Sequence, residues 1–99
     1  MPDPISLLSA LAEPTRLAAL RLLWPGEELC ICELMHQLGA TQSRMSRHMA
    51  TLKAAGLVID RRDAQWVRYR RNPSLAAERV AVVEAVLALP AASPAEVAA

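Results

Sequence analysis

The sequence predicts a mainly α-helical single domain that carries one β-hairpin, and three observations predict it. Apolar residues recur at helical spacing in about five separate segments. Only residues 57–70 hold two short runs rich in β-branched and aromatic side chains, the second of them alternating. The 54% apolar fraction comes mostly from Ala, Leu and Val, with three aromatic residues and no Phe, a composition that favours helices.

The elements follow in chain order. Residues 5–12 read as a short helix with Ile5, Leu8, Leu11 and Ala12 on one side. Pro14 suits the first turn of a second helix, PTRLAALRLLW, because its missing N–H costs nothing there. Trp24-Pro25-Gly26 stops that helix. From Leu29 to Leu38, Ile31, Leu34, Met35 and Leu38 fall at i, i+3, i+4 and i+7, the pattern of an amphipathic helix. Gly39 closes it, and Thr41 is positioned to cap the next helix, Gln42 to about Ala55. There Met45, Met49 and Leu52 face the core with His48 at its edge, read as a structural histidine, while Ser43 and Arg47 point outward. Gly56 ends that helix. LVIDRR (57–62) and QWVRYR (65–70) are expected strands joined by a short loop whose Asp63-Ala64 contains no glycine. Ser74 is the expected N-cap of a last helix running to about Leu89, and residues 90–99 are expected to be a flexible Ala/Pro tail. Trp24 and Trp66 are expected in packing.

Net charge is +1, but it is segregated. Residues 41–71 carry eight basic side chains against Asp60 and Asp63, a balance of +6, while residues 1–40 sum to −3 and residues 72–99 to −2. One third of the chain is thus the footprint of a polyanion-binding element. Two helices in tight succession followed by a basic hairpin describe a winged helix-turn-helix of about five helices and a two-stranded wing, spanning residues 1–89. Gln42, Ser43, Arg44, Ser46 and Arg47, on the second helix of the pair, are the candidate base readers, since Arg reads guanine and Gln adenine. Arg61, Arg62, Arg68 and Arg70 on the hairpin are candidate phosphate contacts. No basic leader and no apolar stretch of the roughly 18 residues a membrane span needs are visible, so a cytoplasmic protein is expected. Its only two cysteines, Cys30 and Cys32, are then expected as reduced thiols.

The segments LAEPTRLAALRLL and GEELCICELMHQLGATQSRMSRHMATLKAAGLVIDRRDAQWVRYR closely resemble the ArsR family of metalloid- and metal-sensing repressors over residues 7–73. The most specific part is the cysteine box, Glu-Leu-Cys-Val-Cys-Asp-Leu in repressors of arsenical-resistance operons and Glu28-Leu29-Cys30-Ile31-Cys32-Glu33-Leu34 here. The resemblance implies a homodimer that binds a partly palindromic operator and releases it when As(III) or Sb(III) binds Cys30 and Cys32. It also implies a dimer interface on the first and last helices, where Ile5, Leu8, Val82, Val83 and Val86 supply surplus apolar surface. Many such repressors have a third cysteine where this chain has Met35. The third ligand is therefore open among Met35, His36, water and an external thiol, and a methylated trivalent arsenical needs only two. Residues 74–89 contain no His, so the last-helix site of zinc- and nickel-sensing relatives is absent.

On an intact helix Cys30 and Cys32 would point about 200° apart, so joint binding of one soft ion requires that helix to loosen. The alternatives are a winged-helix repressor sensing thiol oxidation or another soft metal, two buried structural cysteines, and a thiol oxidoreductase. The last lacks any βαβ pattern or catalytic scaffold, and no enzyme is expected.

Overall fold

The computed structural model describes residues 3–90, so all but Pro90 of the expected tail lies outside the described residues. The order is α1 (Pro4–Leu11), α2 (Pro14–Leu23), β1 (Leu29–Cys30), α3 (Ile31–Leu38), α4 (Gln42–Ala54), β2 (Val58–Asp63), β3 (Trp66–Arg71) and α5 (Ala77–Leu87). This is the expected winged helix-turn-helix with one addition. The hairpin β2–β3 is part of a three-stranded antiparallel sheet in the order β1-β3-β2.

Local chemistry starts each N-terminal helix. The Asp3 carboxylate accepts from Ser6 N–H at 2.7 Å and the Glu13 carboxylate from Arg16 N–H at 2.8 Å. Each satisfies one of the donors that a helix start leaves unpaired, and a proline at N1 removes another. The α3–α4 turn is made as its residues dictate. Gly39 takes φ +66°, and its N–H reaches Met35 C=O at 2.9 Å. Thr41 Oγ1 then accepts from Arg44 N–H at 3.3 Å.

One core joins the elements: Leu20 and Leu23 of α2, Leu34 of α3, Met45, Met49 and Leu52 of α4, Leu57 and Val58 at the wing base, and Val83 of α5. Each Leu or Met buried to this degree contributes about 1.5–3 kcal/mol. The wing base is tied to the core by Asn72, whose side-chain N–H₂ donates to Gly56 C=O at 2.9 Å and whose backbone N–H reaches Leu57 C=O at 3.0 Å. At the wing tip Ala64 takes φ +57°, a left-handed conformation that costs a residue with a Cβ about 1–2 kcal/mol.

Several expectations need correction. Helix α3 begins at Ile31, two residues later than its apolar pattern suggests, because Leu29 and Cys30 are extended and pair with β3. Ser74 does not cap α5. Its N–H donates to Asn72 Oδ1 at 2.9 Å, a local turn, and α5 starts after Ala76 without a side-chain cap. Val83 is fully buried in the chain's own core and is therefore unavailable to a partner; Val86 is half-buried against that core. Ile5 is 71% exposed, Leu8 49% and Val82 37%, so the unpartnered apolar surface of α1 and α5 rests on these three. Trp66 is 43% exposed at the wing tip and not packed as expected. Trp24 does pack: Arg71 lies over its ring at 4.1 Å, and its indole N–H donates to Glu84 at 3.2 Å.

Leu52→Ala should cost about 2–5 kcal/mol, because it opens a cavity where α4 meets the core. Ile5→Ala should leave the urea midpoint nearly unchanged at protein concentrations low enough to hold monomer. Urea unfolding of the two variants at matched concentration checks both.

Candidate nucleic-acid interface and thiol site

The outer face of α4 presents Gln42, Ser43, Arg44, Ser46 and Arg47, all exposed, while Met45, Met49 and Leu52 hold the opposite face in the core. Thr51 Oγ1 donates back to Arg47 C=O at 3.1 Å and leaves the Arg47 side chain outward. His48 fixes the helix against the α1–α2 corner. Arg16 Nη1 lies 3.3 Å from His48 Nδ1, and Glu13 Oε2 lies 3.9 Å from Nε2. Arg16 itself is clamped by the carbonyls of Ala10 at 2.8 Å and Ser9 at 3.1 Å. The histidine is thus a structural pin, as its place at the core edge suggested.

The wing arginines divide into two classes. Arg62 and Arg70 are exposed and, like Arg44 and Arg47, hold no side-chain ion pair among the described residues. Arg61 and Arg68, also candidate phosphate contacts, are already held by carboxylates. Arg61 donates from Nε and Nη2 to the two oxygens of Glu28, at 2.9 and 2.7 Å. Arg68 donates from Nε to Asp63 at 2.8 Å, and its Nη1 lies 3.8 Å from Glu33. Asp63 comes from within the hairpin itself, whereas Glu28 and Glu33 are brought against it by the pairing of β1 with β3. The Arg61 guanidinium holds the Glu28 carboxyl below the usual carboxylate range, and Arg68 does the same for Asp63. Both carboxylates are therefore ionised at neutral pH, and acidification through their lowered range weakens each pair.

Cys30 lies opposite Arg68 in the β1–β3 register and is 4% exposed; Cys32, in the first turn of α3, is exposed. Cys30 is extended, with φ −76° and ψ 159°, and serves as the N-cap of α3, where Glu33 accepts its N–H at 3.0 Å. Because Cys30 stands outside the helix, the 200° divergence expected of two helical residues does not arise. The Cα atoms are 5.3 Å apart and the sulfurs are joined in a disulfide, where reduced thiols were expected. No loosening of α3 is needed for the two sulfurs to meet. Met35 packs partly against the core, whereas His36 is exposed and lines a shallow hollow of about 350 Å³ with Cys32, Glu33 and Gln37. Among the described residues no group of three or more His, Cys, Asp or Glu is arranged to hold a metal ion. The site therefore offers two sulfur donors. Glu28, Glu33 and Asp63 were missed as site residues. The acidic flanks of the cysteines were visible in the sequence, but their partners come from a strand pairing that a two-residue strand hardly signals.

Residues 13–60, from the cap of α2 into β2, match the family profile described as bacterial regulatory protein, arsR family. The chain is 44% identical over 75 residues to the arsenic resistance transcriptional regulator ArsR2 of Pseudomonas putida, which covers 76% of this chain and 65% of that protein. It is 40% identical over 81 residues to the arsenical resistance operon repressor of Escherichia coli, covering 82% of this chain and 69% of that one. It thus spans about two thirds of the length of these relatives. Among solved structures, HlyU from Vibrio cholerae superposes with a TM-score of 0.71 at 36% identity, over 83% of this chain and 85% of that one. Among the described residues no helix is long and apolar enough to cross a membrane.

After reduction, the exposed Cys32 should alkylate faster than the buried Cys30. Iodoacetamide labelling of Cys30→Ser and Cys32→Ser, followed by mass spectrometry, reports each thiol alone.

Proposed function

The chain belongs to the arsR family of bacterial regulatory proteins, winged-helix transcriptional regulators and not enzymes, and from that premise we propose a homodimeric repressor that releases operator DNA when trivalent arsenic or antimony binds Cys30 and Cys32. The observation that carries the reading is the convergence of the two sulfurs at the junction of α3 with β1, a strand hydrogen-bonded into the wing's sheet. Once reduced, as a cytoplasmic setting would keep them, the thiolates of Cys30 at the end of β1 and Cys32 in the first turn of α3 stand close enough to share a single soft ion. Two relatives are named as arsenic or arsenical resistance regulators, which supports an arsenical as the inducer. With Met35 packed against the core, the third position falls to solvent, to a small external thiol or to the exposed His36. A methylated trivalent arsenical would fill the site with two protein ligands alone.

DNA is held, in this reading, by Gln42, Ser43, Arg44, Ser46 and Arg47 in the major groove, with Arg62 and Arg70 on flanking phosphates. Arg61 and Arg68 join them once their carboxylates are exchanged. The exposed Ile5, Leu8 and Val82, with Val86 beside them, supply the dimer contact. Reversing a 99:1 population takes about 5.5 kcal/mol of differential binding, which two sites per dimer would divide. The joined sulfurs favour a second reading, in which oxidation of the same pair to a disulfide is itself the signal.

The test is fluorescence anisotropy of a labelled fragment of the gene's own promoter, bound by reduced protein at fixed salt. Arsenite should release the wild type near one equivalent per site. Cys30→Ser and Cys32→Ser should bind DNA nearly as well and ignore arsenite; a serine variant that still lets go sinks the assignment. Release by diamide, with arsenite inert, would select the oxidation reading. Arg47→Ala should weaken binding and, if it meets a phosphate, flatten the salt dependence by about one unit of slope.

A further inference from the structure

Arg61 and Arg68 are direct partners across the β2–β3 ladder, two like charges side by side that disfavour the hairpin unless each is neutralised. Their counter-charges include both acidic residues that flank the cysteines. Glu28, two residues before Cys30, chelates Arg61 through Nε and Nη2. Glu33, directly after Cys32, caps Cys30 N–H with the same oxygen that lies 3.8 Å from Arg68. A guanidinium gripped in that bidentate way has spent on a carboxylate the fork that would otherwise grip a phosphate, and the carboxylate charge repels a phosphate that approaches.

We propose that Glu28 is a positioning residue that competes with operator phosphates for Arg61, so that the segment bearing the cysteines sets how much wing charge is available to DNA. Operator binding then requires an exchange in which Arg61 gives up Glu28 and takes a phosphate oxygen. The exchange is feasible because the pair is exposed, with Arg61 55% and Glu28 29% accessible, and an exposed pair is weak enough to be displaced. The alternative role, a fixed strut that stays closed in the complex, predicts the opposite sign. The link to the thiols rests on the function proposed above: whatever binds or joins Cys30 and Cys32 shifts the backbone two residues from Glu28 and so biases the exchange. The competition itself requires only that the wing meets DNA.

The experiment is a double-mutant cycle on operator affinity, using reduced full-length wild type, Glu28→Gln, Arg61→Ala and the double variant without arsenite, across a salt series. Competition predicts that Glu28→Gln tightens binding about two- to fivefold and that the gain vanishes in the Arg61→Ala background. Glu28→Asp, which draws the carboxylate back by one methylene from Arg61, should move affinity in the same direction as Gln. Weaker or unchanged binding by Glu28→Gln overturns the proposal, as does an equal gain without Arg61. An arsenite arm separates the two claims. A wild type that ignores arsenite contradicts the sensor reading, while the affinities in the cycle still decide the role of Glu28.

Discussion

The backbone ladder between Leu29–Cys30 and Tyr69–Arg68 is the constraint on which the site is built. It is only two residues long, yet it decides three things at once. It pulls Cys30 out of the helix and into extended conformation, and so lets its sulfur meet that of Cys32. It sets where α3 begins, and therefore the entry of the helix-turn-helix. It also places the acidic flanks of the cysteines against Arg61 and Arg68. A thiol site on an isolated helix would touch the recognition helix alone; one that spans β1 and α3 is joined to the wing's sheet as well.

The recognition helix is by contrast held stiffly. Met45, Met49 and Leu52 are completely buried, and His48 is pinned from α2 by Arg16 and Glu13, with Arg16 itself clamped to α1. Moving α4 relative to α2 would break apolar packing and this polar pin together. Moving the wing costs less: its outer-face contacts are exposed ion pairs, each worth little in water. Under the proposed function, physical economy would therefore route a signal from the cysteines through β3 before it reached α4.

Much of this was legible in the residues. The helical spacing of α2 to α4, the Gly39–Thr41 turn, the Met45-Met49-Leu52 stripe and the strand alternation around Tyr69 each follow from short-range rules and hold in three dimensions. The candidate base readers lie exposed on one face of α4 because the same periodicity that buries three residues exposes the others. Three things escaped the sequence for one reason: they depend on contacts between distant segments. Leu29 and Cys30 continue the apolar pattern of α3, and only the presence of β3 makes extension more favourable than another half-turn of helix. Arg61 and Arg68 look like open cations until the pairing of β1 with β3 supplies Glu28 and Glu33. Val83 looks like surplus surface until α5 is seen laid across the core, with Arg21 holding its end through Leu87 C=O at 2.6 Å and Leu89 C=O at 3.1 Å.

Hydrogen–deuterium exchange of the reduced protein, with and without stoichiometric arsenite, would show whether the thiol site speaks to DNA through the wing's sheet. Altered protection is expected in residues 28–33 and, with it, in residues 66–71 of β3. Altered protection confined to residues 42–54 of α4, with β3 unchanged, would contradict that route.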